Sequence, residues 1–443
     1  MTRNSRIQPT TMRATRMRVR LAVVLLALVV TTACNTGLDL TNPNSPTEQA
    51  ALSNIDGVVA TSLGMQDQFA ASTLIYVRAP ALVTDEWGTV SKALAADISL
   101  YTGDGIDPSY TVVSDPYYVT YRVGRTADAI IAAVPNIPGL SAGFSAGLTA
   151  NAKLFKAMAL GMAAQQYAQL PLDAAVAGGT PVARDQAFAE VIRLLESARS
   201  DLQPYSAADL SGFTSRALSS GFDLRNTIDA MLARYYLYTA QYQQALDAAK
   251  RVDLSKVSLL TYPDPDLNPI YNYSVVAGYV APLKSWADQA EPGDQRVSFW
   301  VDPAGTPPKG NPPTLALLPF KFYGTRNAPF PVYLPGEVQL IKAEAEARLN
   351  DLPSAIADIN AVRTKTGTVN TPGAQLPPLT ALQLDTQDKV LAQIARERRY
   401  ELFSQGLRWE DLRRLGQYVG VQPKVTFLPM PQAECNTNPN VTC

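Results

Sequence analysis

The chain has 443 residues, enough for two or three ordinary domains or for one large helical domain. Hydrophobic residues make up 47% and charged residues 17%, which favours a sizeable packed core over a disordered chain. The sequence contains no His, which excludes a Ser-His-Asp triad, a Cys-His pair, a His metal ligand and a His general base. Catalysis by a pair of carboxylates is still possible, as is binding without catalysis.

The net charge of -1 conceals an uneven distribution of charge. Residues 1–33 contain six Arg and no acidic residue, which leaves 32 basic and 39 acidic residues, a net charge of -7, for the rest of the chain. A mildly acidic protein attracts nucleic-acid phosphates poorly, so we expect no nucleic-acid binding.

The N-terminal segment has the layout of an export signal. An Arg-rich stretch precedes ten apolar residues, 21–30, a run too short to span a bilayer. Two Thr and one Ala then lead to Cys34, an order that resembles a bacterial lipobox. We expect residues 1–33 to be a lipoprotein signal peptide and Cys34 to be the lipidated first residue of the mature chain. Ordinary cleavage nearby, with Cys34 as a free thiol, is the alternative.

The next segment, residues 34–46, is polar and predicts a flexible tether between a lipid anchor and a folded body. Cys435 and Cys443, near the other end of the sequence, are the only further cysteines. Export permits a disulfide between them, and two unpaired thiols are the alternative.

Residues 47–443 are predicted to form a single domain dominated by α-helices. Apolar residues recur near a 3.6-residue period in seven segments. These segments are 47–70, 117–134, 148–169, 185–203, 225–252, 336–366 and 387–416.

Two of these segments have the pattern of a tetratricopeptide hairpin. Ala233 and Ala245 are 12 residues apart in the first, and Ala343 and Ala355 repeat this spacing in the second. We therefore predict three or four stacked helical hairpins. Unrelated helical pairs are the alternative.

Residues 253–335 differ in composition from the helical segments. They include 14 of the 33 Pro and are rich in aromatic residues, which predicts a long irregular insertion rather than helix. Binding sites often lie on such insertions, so we expect the ligand side of the protein here.

Aromatic residues cluster in two regions, 84–118 and 262–300, together with polar side chains. Flat aromatic faces pack against the C–H surfaces of sugars, and this composition therefore favours a glycan ligand. The alternative is that these aromatics fill the core of the irregular layer. The candidate ligand-binding residues are Trp87, Tyr101, Tyr110, Tyr271, Tyr273, Tyr279, Trp286 and Trp300.

Two carboxylate pairs are candidates for an acid–base pair in catalysis. Asp85 and Glu86 are adjacent and point to opposite sides of an extended segment, which favours a capping or polar-loop role. Glu397 and Glu401 share a helix face, as an acid–base pair of a glycosidase would require. Arg residues separate them along the sequence, which favours a structural network of ion pairs instead.

The C-terminal segment carries the most specific pattern. Arg398 precedes Glu401 by three residues, and Arg408 precedes Asp411 by the same spacing. Eleven residues here resemble the I..ER..EL..EG.RW.DL.R signature of the SusD/RagB family. They are Ile394, Glu397, Arg398, Glu401, Leu402, Gly406, Arg408, Trp409, Asp411, Leu412 and Arg413. Gln405 departs from the family pattern, which has Glu at this position.

Further segments resemble family motifs in the same order along the chain. They include Asp85-Glu86, the Pro171 segment, Asp294 with Arg296, Glu337 to Ala345, and Leu428 to Pro439. The resemblance implies a SusD-like fold and an architectural role for Glu397, Arg398, Glu401, Arg408 and Asp411.

The resemblance also implies a function. Proteins of this family are surface lipoproteins that capture a glycan or another oligomer for a TonB-dependent SusC-like barrel in the outer membrane. We expect the same here: a lipid-anchored protein on the cell-surface side of the outer membrane, without catalysis, cofactor or metal. An exported carboxylate-dependent glycoside hydrolase on an α/α scaffold and a helical-repeat scaffold that binds a protein are the alternatives.

Overall fold

Helices build most of the part of the chain that the computed structural model describes, which is residues 51–172, 178–441 and 443. The predicted signal peptide (1–33), Cys34 and the predicted tether (34–46) lie outside the described residues and stay predictions. Within the described ranges, no helix is long and apolar enough to cross a bilayer.

Five helices and one strand form the N-terminal part of this region. Side-chain caps fix two of the helix starts, because Asn54 accepts a hydrogen bond from the Gly57 N–H group and Ser141 accepts one from that of Phe144. In chain order the elements are α1 (Ile55–Ala71), α2 (Thr73–Val83), β1 (Trp87–Thr89), α3 (Ala95–Thr102), α4 (Thr111–Ala133) and α5 (Ala142–Ala164).

The middle of the chain begins with a short antiparallel pair of strands and continues with four helices. Asp223 caps the third of these helices by accepting from the Asn226 N–H group. The elements are β2 (Gln169–Leu170), β3 (Val182–Ala183), α6 (Arg184–Leu202), α7 (Ser211–Ala217), α8 (Leu224–Tyr238) and α9 (Tyr242–Arg251).

Short elements alone make up the predicted insertion, residues 253–335, which confirms its irregular character. They are β4 (Leu259–Leu260), α10 (Pro269–Tyr271), β5 (Val280–Pro282), α11 (Lys284–Asp288), α12 (Gln295–Trp300) and β6 (Phe330–Pro331). A π-helical turn, Asn272–Val276, continues α10, and β4 pairs antiparallel with β6.

Five helices complete the chain: α13 (Pro335–Arg348), α14 (Leu352–Thr364), α15 (Gln387–Glu401), α16 (Arg408–Val419) and α17 (Gln432–Thr437). The predicted helix 387–416 is wrong as one element, since residues 402–407 separate α15 from α16. Ser404 and Gly406 both have positive φ angles, 60° and 74°, which no helix continues through. A Cβ atom on Gly406 would lie 2.8 Å from the Tyr76 carbonyl oxygen, so the close approach also requires glycine.

The long helices pack in one continuous row. Helix α5 packs between α4 and α6, α6 contacts α8, and the α8–α9 hairpin contacts the α13–α14 hairpin. Helix α15 then packs on α13 and pairs with α16. Small residues permit these contacts: Ala233, Ala245, Ala343 and Ala355 are fully buried. The helix-dominated fold with stacked hairpins is therefore confirmed.

Some helix boundaries differ from the predicted ones. The region 84–115, which the predicted helical segments do not include, contains α3, and α4 begins at Thr111 rather than at 117. Pro116 lies inside α4, in its second turn, and supplies no backbone N–H group to the helix. Likewise α5 begins after the Ser141 cap rather than at 148.

Candidate ligand-binding cleft

The two aromatic regions of the sequence meet in the structure through backbone pairing. Strands β1 and β5 are antiparallel, with Gly88 opposite Ala281. The Val90 N–H group extends this pairing by donating to the Tyr279 carbonyl at 3.1 Å. A third segment, residues 309–320, lies alongside, where the Ser91 N–H group donates to the Lys309 carbonyl at 2.8 Å.

Two glycines permit this close arrangement of three segments. A Cβ atom on Gly88 would lie 2.8 Å from the Leu283 side chain and 2.9 Å from that of Leu317. A Cβ atom on Gly310 would lie only 2.2 Å from the Leu315 carbonyl oxygen. A larger residue at position 310 would push the backbone segments apart, whereas one at position 88 would displace the leucine side chains.

A π-helical turn forms one wall of a cleft beside these segments. The buried Asn268 side chain caps α10, which leads into this turn, by accepting from the Ile270 and Tyr271 N–H groups at 2.8 and 3.1 Å. The turn exposes Val275 and Val276 by 46% and 57%, an unusual exposure for aliphatic side chains. Turns of this type often occur at functional sites.

A buried ion pair anchors the turn from behind. The Tyr273 hydroxyl donates to the Asp97 carboxylate at 2.6 Å, and Arg78 Nε donates to the same carboxylate at 2.6 Å. The Arg78 guanidinium also lies over the Tyr273 ring, 4.6 Å from its centre. Burial raises the pKa of Tyr273, and the neighbouring Asp97 carboxylate raises it further. The hydroxyl therefore stays protonated and holds the wall in place.

The cleft itself has a volume of about 410 Å³, within the range of small-molecule sites. Val275, Val280 and Phe320 supply apolar lining, and Lys92 and Lys309 supply cationic rims. Ser91, Pro308 and Lys309 separate it from an adjoining, Pro-rich cleft of about 610 Å³. Together the two clefts offer apolar surface beside hydrogen-bond donors, as an extended polar oligomer requires.

The three predicted ligand-binding tryptophans do not face this cleft. Trp87, Trp286 and Trp300 are fully buried, so their assignment as ligand contacts is wrong in this structure. Their indole N–H groups donate to Ser404 Oγ at 2.8 Å, to the Arg399 carbonyl at 3.4 Å and to the Tyr400 carbonyl at 2.9 Å, respectively. They attach the irregular layer to the α15–α16 segment, because that layer has no long helices to fill its core.

The five predicted tyrosines, Tyr101, Tyr110, Tyr271, Tyr273 and Tyr279, are half-buried. Tyr273 and Tyr279 come together behind the cleft, with ring centres 5.0 Å apart. Tyr101 lies elsewhere under Lys424, whose ammonium is 3.9 Å from the ring centre. None of the five lines the 410 Å³ cleft, and a ligand role for them stays a prediction.

The residues that do line the cleft were not predicted from the sequence, above all Lys92, Val275 and Lys309. Two adjacent Val within a Tyr-rich, turn-forming segment are the one available signal for the apolar wall. No sequence signal indicated the two lysines, because isolated surface lysines are common. Only the strand pairing brings residues 92 and 309 together.

The family-signature carboxylates lie in a buried network of ion pairs, with partners other than the neighbours along the helix. Glu397 contacts Arg296 and Arg363, each at 2.7 Å. Arg398 contacts Asp411 on α16 at 2.8 Å rather than Glu401. The network therefore ties α15 to α14, to α16 and to the irregular insertion.

Glu401 and Arg408 complete the list of signature residues. Glu401 is fully buried and pairs with Lys365 from the segment that follows α14. The spacing of Arg408 and Asp411 had suggested an ion pair, but the two do not pair in the structure. Arg408 Nη1 donates instead to the Ala395 carbonyl at 3.4 Å. Both Glu397 and Glu401 are closed off from solvent, so no substrate reaches this carboxylate pair.

The Asp85–Glu86 pair divides between surface and core. Asp85 has a φ angle of 59° and its exposed carboxylate pairs with Lys424 at 2.5 Å. Glu86 is 1% exposed and accepts a hydrogen bond from the Ser404 N–H group at 3.3 Å. Burial raises the pKa of Glu86 to about 8, although the charge of Arg408 lowers it. The opposite orientations agree with the prediction that the two are not an acid–base pair.

Near the C-terminus, Cys435 and Cys443 form a disulfide, as the sequence permitted. It closes a short loop at the end of α17 and lies apart from the cleft. Among the described residues, no group of His, Cys, Asp and Glu side chains is arranged to hold a metal ion.

Comparison with known proteins places this architecture among known folds. Residues 320–422 match the model of the SusD family. A search of curated proteins finds no match. A SusD superfamily protein from Bacteroides thetaiotaomicron is similar in structure, with a TM-score of 0.66 and 16% identity over 88% of this chain and 99% of that one.

Two further solved structures are similar. NanU of B. fragilis has a TM-score of 0.66 and 14% identity over 90% of this chain and 98% of its own. A laminarin-binding SusD-like protein has a TM-score of 0.66 and 16% identity over 88% of this chain and 100% of its own. The family match over residues 320–422 and the shared fold confirm the resemblance to the SusD/RagB family, and the fold is SusD-like.

Proposed function

We propose that this protein is a surface-anchored lipoprotein that captures an oligosaccharide, or a similar polar oligomer, in the cleft between β1, the π-helical turn and residues 308–320. It delivers this ligand to a TonB-dependent SusC-like barrel in the outer membrane and performs no catalysis. The observation that carries the proposal is the cleft, where exposed Val275 and the cations of Lys92 and Lys309 face one space.

The chemistry of the cleft suits a sugar ligand. Apolar lining accepts the C–H faces of a sugar ring, and the ammonium groups of Lys92 and Lys309 donate hydrogen bonds to ring hydroxyl oxygens. The adjoining 610 Å³ cleft continues the surface and leaves room for further sugar units. One solved structure with the same fold is named as laminarin-binding, which supports this class of ligand.

The delivery step rests on the sequence and on the fold class. Lipidation of Cys34 anchors the protein to the outer membrane on the cell-surface side, and residues 34–46 tether the folded body near the barrel. Tethering raises the local concentration of the captured ligand, so that a weak site is sufficient for uptake.

The two alternatives lack a supporting observation. A hydrolase needs two accessible carboxylates, and Glu397 and Glu401 are buried and ion-paired. A protein-binding scaffold would use the hairpin surfaces around α8–α9 and α13–α14. A pocket of about 520 Å³ with apolar and cationic lining, including Phe213, Arg225 and Lys256, does adjoin α8, but it touches only the first residues of that helix and does not run along either hairpin.

The delivery step is tested by gentle detergent extraction of the C-terminally tagged chain from its native host, followed by mass spectrometry. We expect a TonB-dependent barrel in roughly equal amount. Cys34→Ser is the matched variant, and it should leave the membrane fraction while the folded body stays intact. Recovery of the unchanged chain alone, with no barrel, would contradict the delivery proposal.

A further inference from the structure

A separate pocket, of about 550 Å³, lies beside α15 and the start of α16. It is strongly basic: Arg396, Arg399, Arg408 and Lys389 line it, and no Asp or Glu does. The amide side chains of three glutamines complete the polar lining; they are Gln289, Gln383 and Gln393.

Arg408 is the buried member of this set, with 6% of its surface exposed. Within the described ranges no carboxylate forms an ion pair with it. Its Nη1 donates a long hydrogen bond, 3.4 Å, to the Ala395 carbonyl. The other buried arginines nearby have carboxylate partners, Arg296 and Arg363 on Glu397 and Arg398 on Asp411. A buried guanidinium without an anion is costly, which sets Arg408 apart.

The two outer arginines also lack an anionic partner. Arg399 donates to the neutral Gln289 side chain at 2.7 Å, and Arg396 has no ion pair among the described residues. Lys389 differs, because Asp385 neutralises it at 2.7 Å on the exposed surface. Three guanidinium groups that lack an ion-pair partner among the described residues therefore line one pocket.

Two carboxylates whose charges act on Arg396 or Arg408, Glu291 and Asp411, form ion pairs with other arginines. Asp411 contacts Arg398 and Arg414 at 2.8 and 2.9 Å, and Glu291 contacts Arg363 at 2.9 Å. Glu86 faces Arg408 from the other side, but burial raises its pKa to about 8, so it is mostly uncharged at neutral pH. Burial lowers the pKa of Arg408 to about 10, while the charge of Asp411 raises it in part and the charge of Arg399 lowers it.

We propose that the pocket formed by Arg396, Arg399 and Arg408 binds a sulfate or phosphate group. The forked donors of arginine match such oxyanions, and one bound anion would offset both the burial of Arg408 and its repulsion from Arg399. The group is either a free inorganic ion or an ester carried by an oligosaccharide. This inference does not depend on the proposed function of the other cleft.

The test is calorimetric titration of the full chain in detergent with inorganic sulfate and with inorganic phosphate, at an ionic strength held constant by chloride. Arg396→Gln and Arg399→Gln change exposed or half-buried side chains, so both variants are expected to fold. Each should weaken anion binding about tenfold or more, and the double variant should abolish it. Arg193→Gln is the matched control, since Arg193 is an exposed arginine that already pairs with Glu190 at 2.6 Å.

Sulfated and desulfated forms of one oligosaccharide identify the source of the anion. Tighter binding of the sulfated form than of free sulfate, lost in Arg399→Gln, supports an ester on a sugar. Equal or weaker binding, also lost in the variant, supports a free inorganic ion. Absence of binding to the unchanged chain, or equal affinity of the double variant, overturns the proposal.

Discussion

We expect the free energy of unfolding of the unchanged chain to fall as the pH rises, because buried Glu86 must then lose its proton. Replacing Glu86 by Gln should abolish this part of the fall. The Glu86 side chain is 1% exposed, and its Oε1 atom has no hydrogen-bond partner. Burial raises its pKa to about 8, while the charge of Arg408 and the hydrogen bond from Ser404 lower it only in part. Gln has the shape of the protonated side chain and never acquires its charge.

The sign and the size of the effect follow from proton linkage. Between the ordinary glutamate pKa of 4.5 and about 8, the folded chain keeps a proton that the unfolded chain releases. This proton stabilises the fold fully below pH 4.5, the ordinary pKa. The stabilisation is lost as the pH rises to about 8, the pKa in the folded chain. Since one pKa unit corresponds to about 1.4 kcal/mol, the full loss amounts to roughly 5 kcal/mol, as an order of magnitude.

The assay is urea unfolding of the unchanged chain and Glu86→Gln at about pH 5 and about pH 8. Subtracting the two proteins removes the contributions of all other titrating groups. We expect the variant to gain roughly 3–4 kcal/mol in free energy of unfolding relative to the unchanged chain between the two conditions. Glu190→Gln, an exposed ion-pair variant on α6, should show no such gain. Parallel losses in the unchanged chain and Glu86→Gln would refute the reasoning.

Two further substitutions test the segment between α15 and α16 and the buried network, both by urea unfolding. Gly406→Ala should destabilise the fold by about 2–3 kcal/mol, because φ is 74° and the new Cβ would meet backbone; Gly420→Ala, with φ of 66° and open space, should cost only about 1 kcal/mol. Equal losses would contradict the steric argument. Arg296→Ala should cost about 3–5 kcal/mol, because buried Asp294 loses its cation and buried Glu397 keeps only Arg363, whereas Arg326→Ala, at an exposed pair, should cost at most about 1 kcal/mol. Similar small losses for both would show that the buried network contributes little.

Local periodicity was sufficient to predict the helical scaffold. The Ala233–Ala245 and Ala343–Ala355 spacings lie within single hairpins, and the contacts that they permit are close in sequence. The break between α15 and α16 was missed, because the requirement for Gly406 comes from the Tyr76 backbone, which is more than 300 residues away in sequence.

The candidate site was predictable as a region but not as a set of side chains. Composition indicated an irregular insertion, and the cleft lies between it and the β1 segment. Aromatic residue type does not encode burial, so Trp286 and Trp300 looked like ligand contacts although they fill the core. The signature carboxylates were correctly interpreted as structural, yet the partners of Glu397 are distant in sequence and no helical spacing indicates them.

The central claim is that the cleft beside Val275 captures an oligosaccharide. The most direct test is the titration of a panel of neutral and acidic oligosaccharides against the unchanged chain and Val275→Asp. Val369→Asp is the matched control, since Val369 is 82% exposed and does not line the cleft. We expect at least one oligosaccharide to bind the unchanged chain and the control equally, and to bind Val275→Asp about tenfold more weakly or worse. Binding that Val275→Asp leaves unchanged, or no binding across the panel, would contradict the claim.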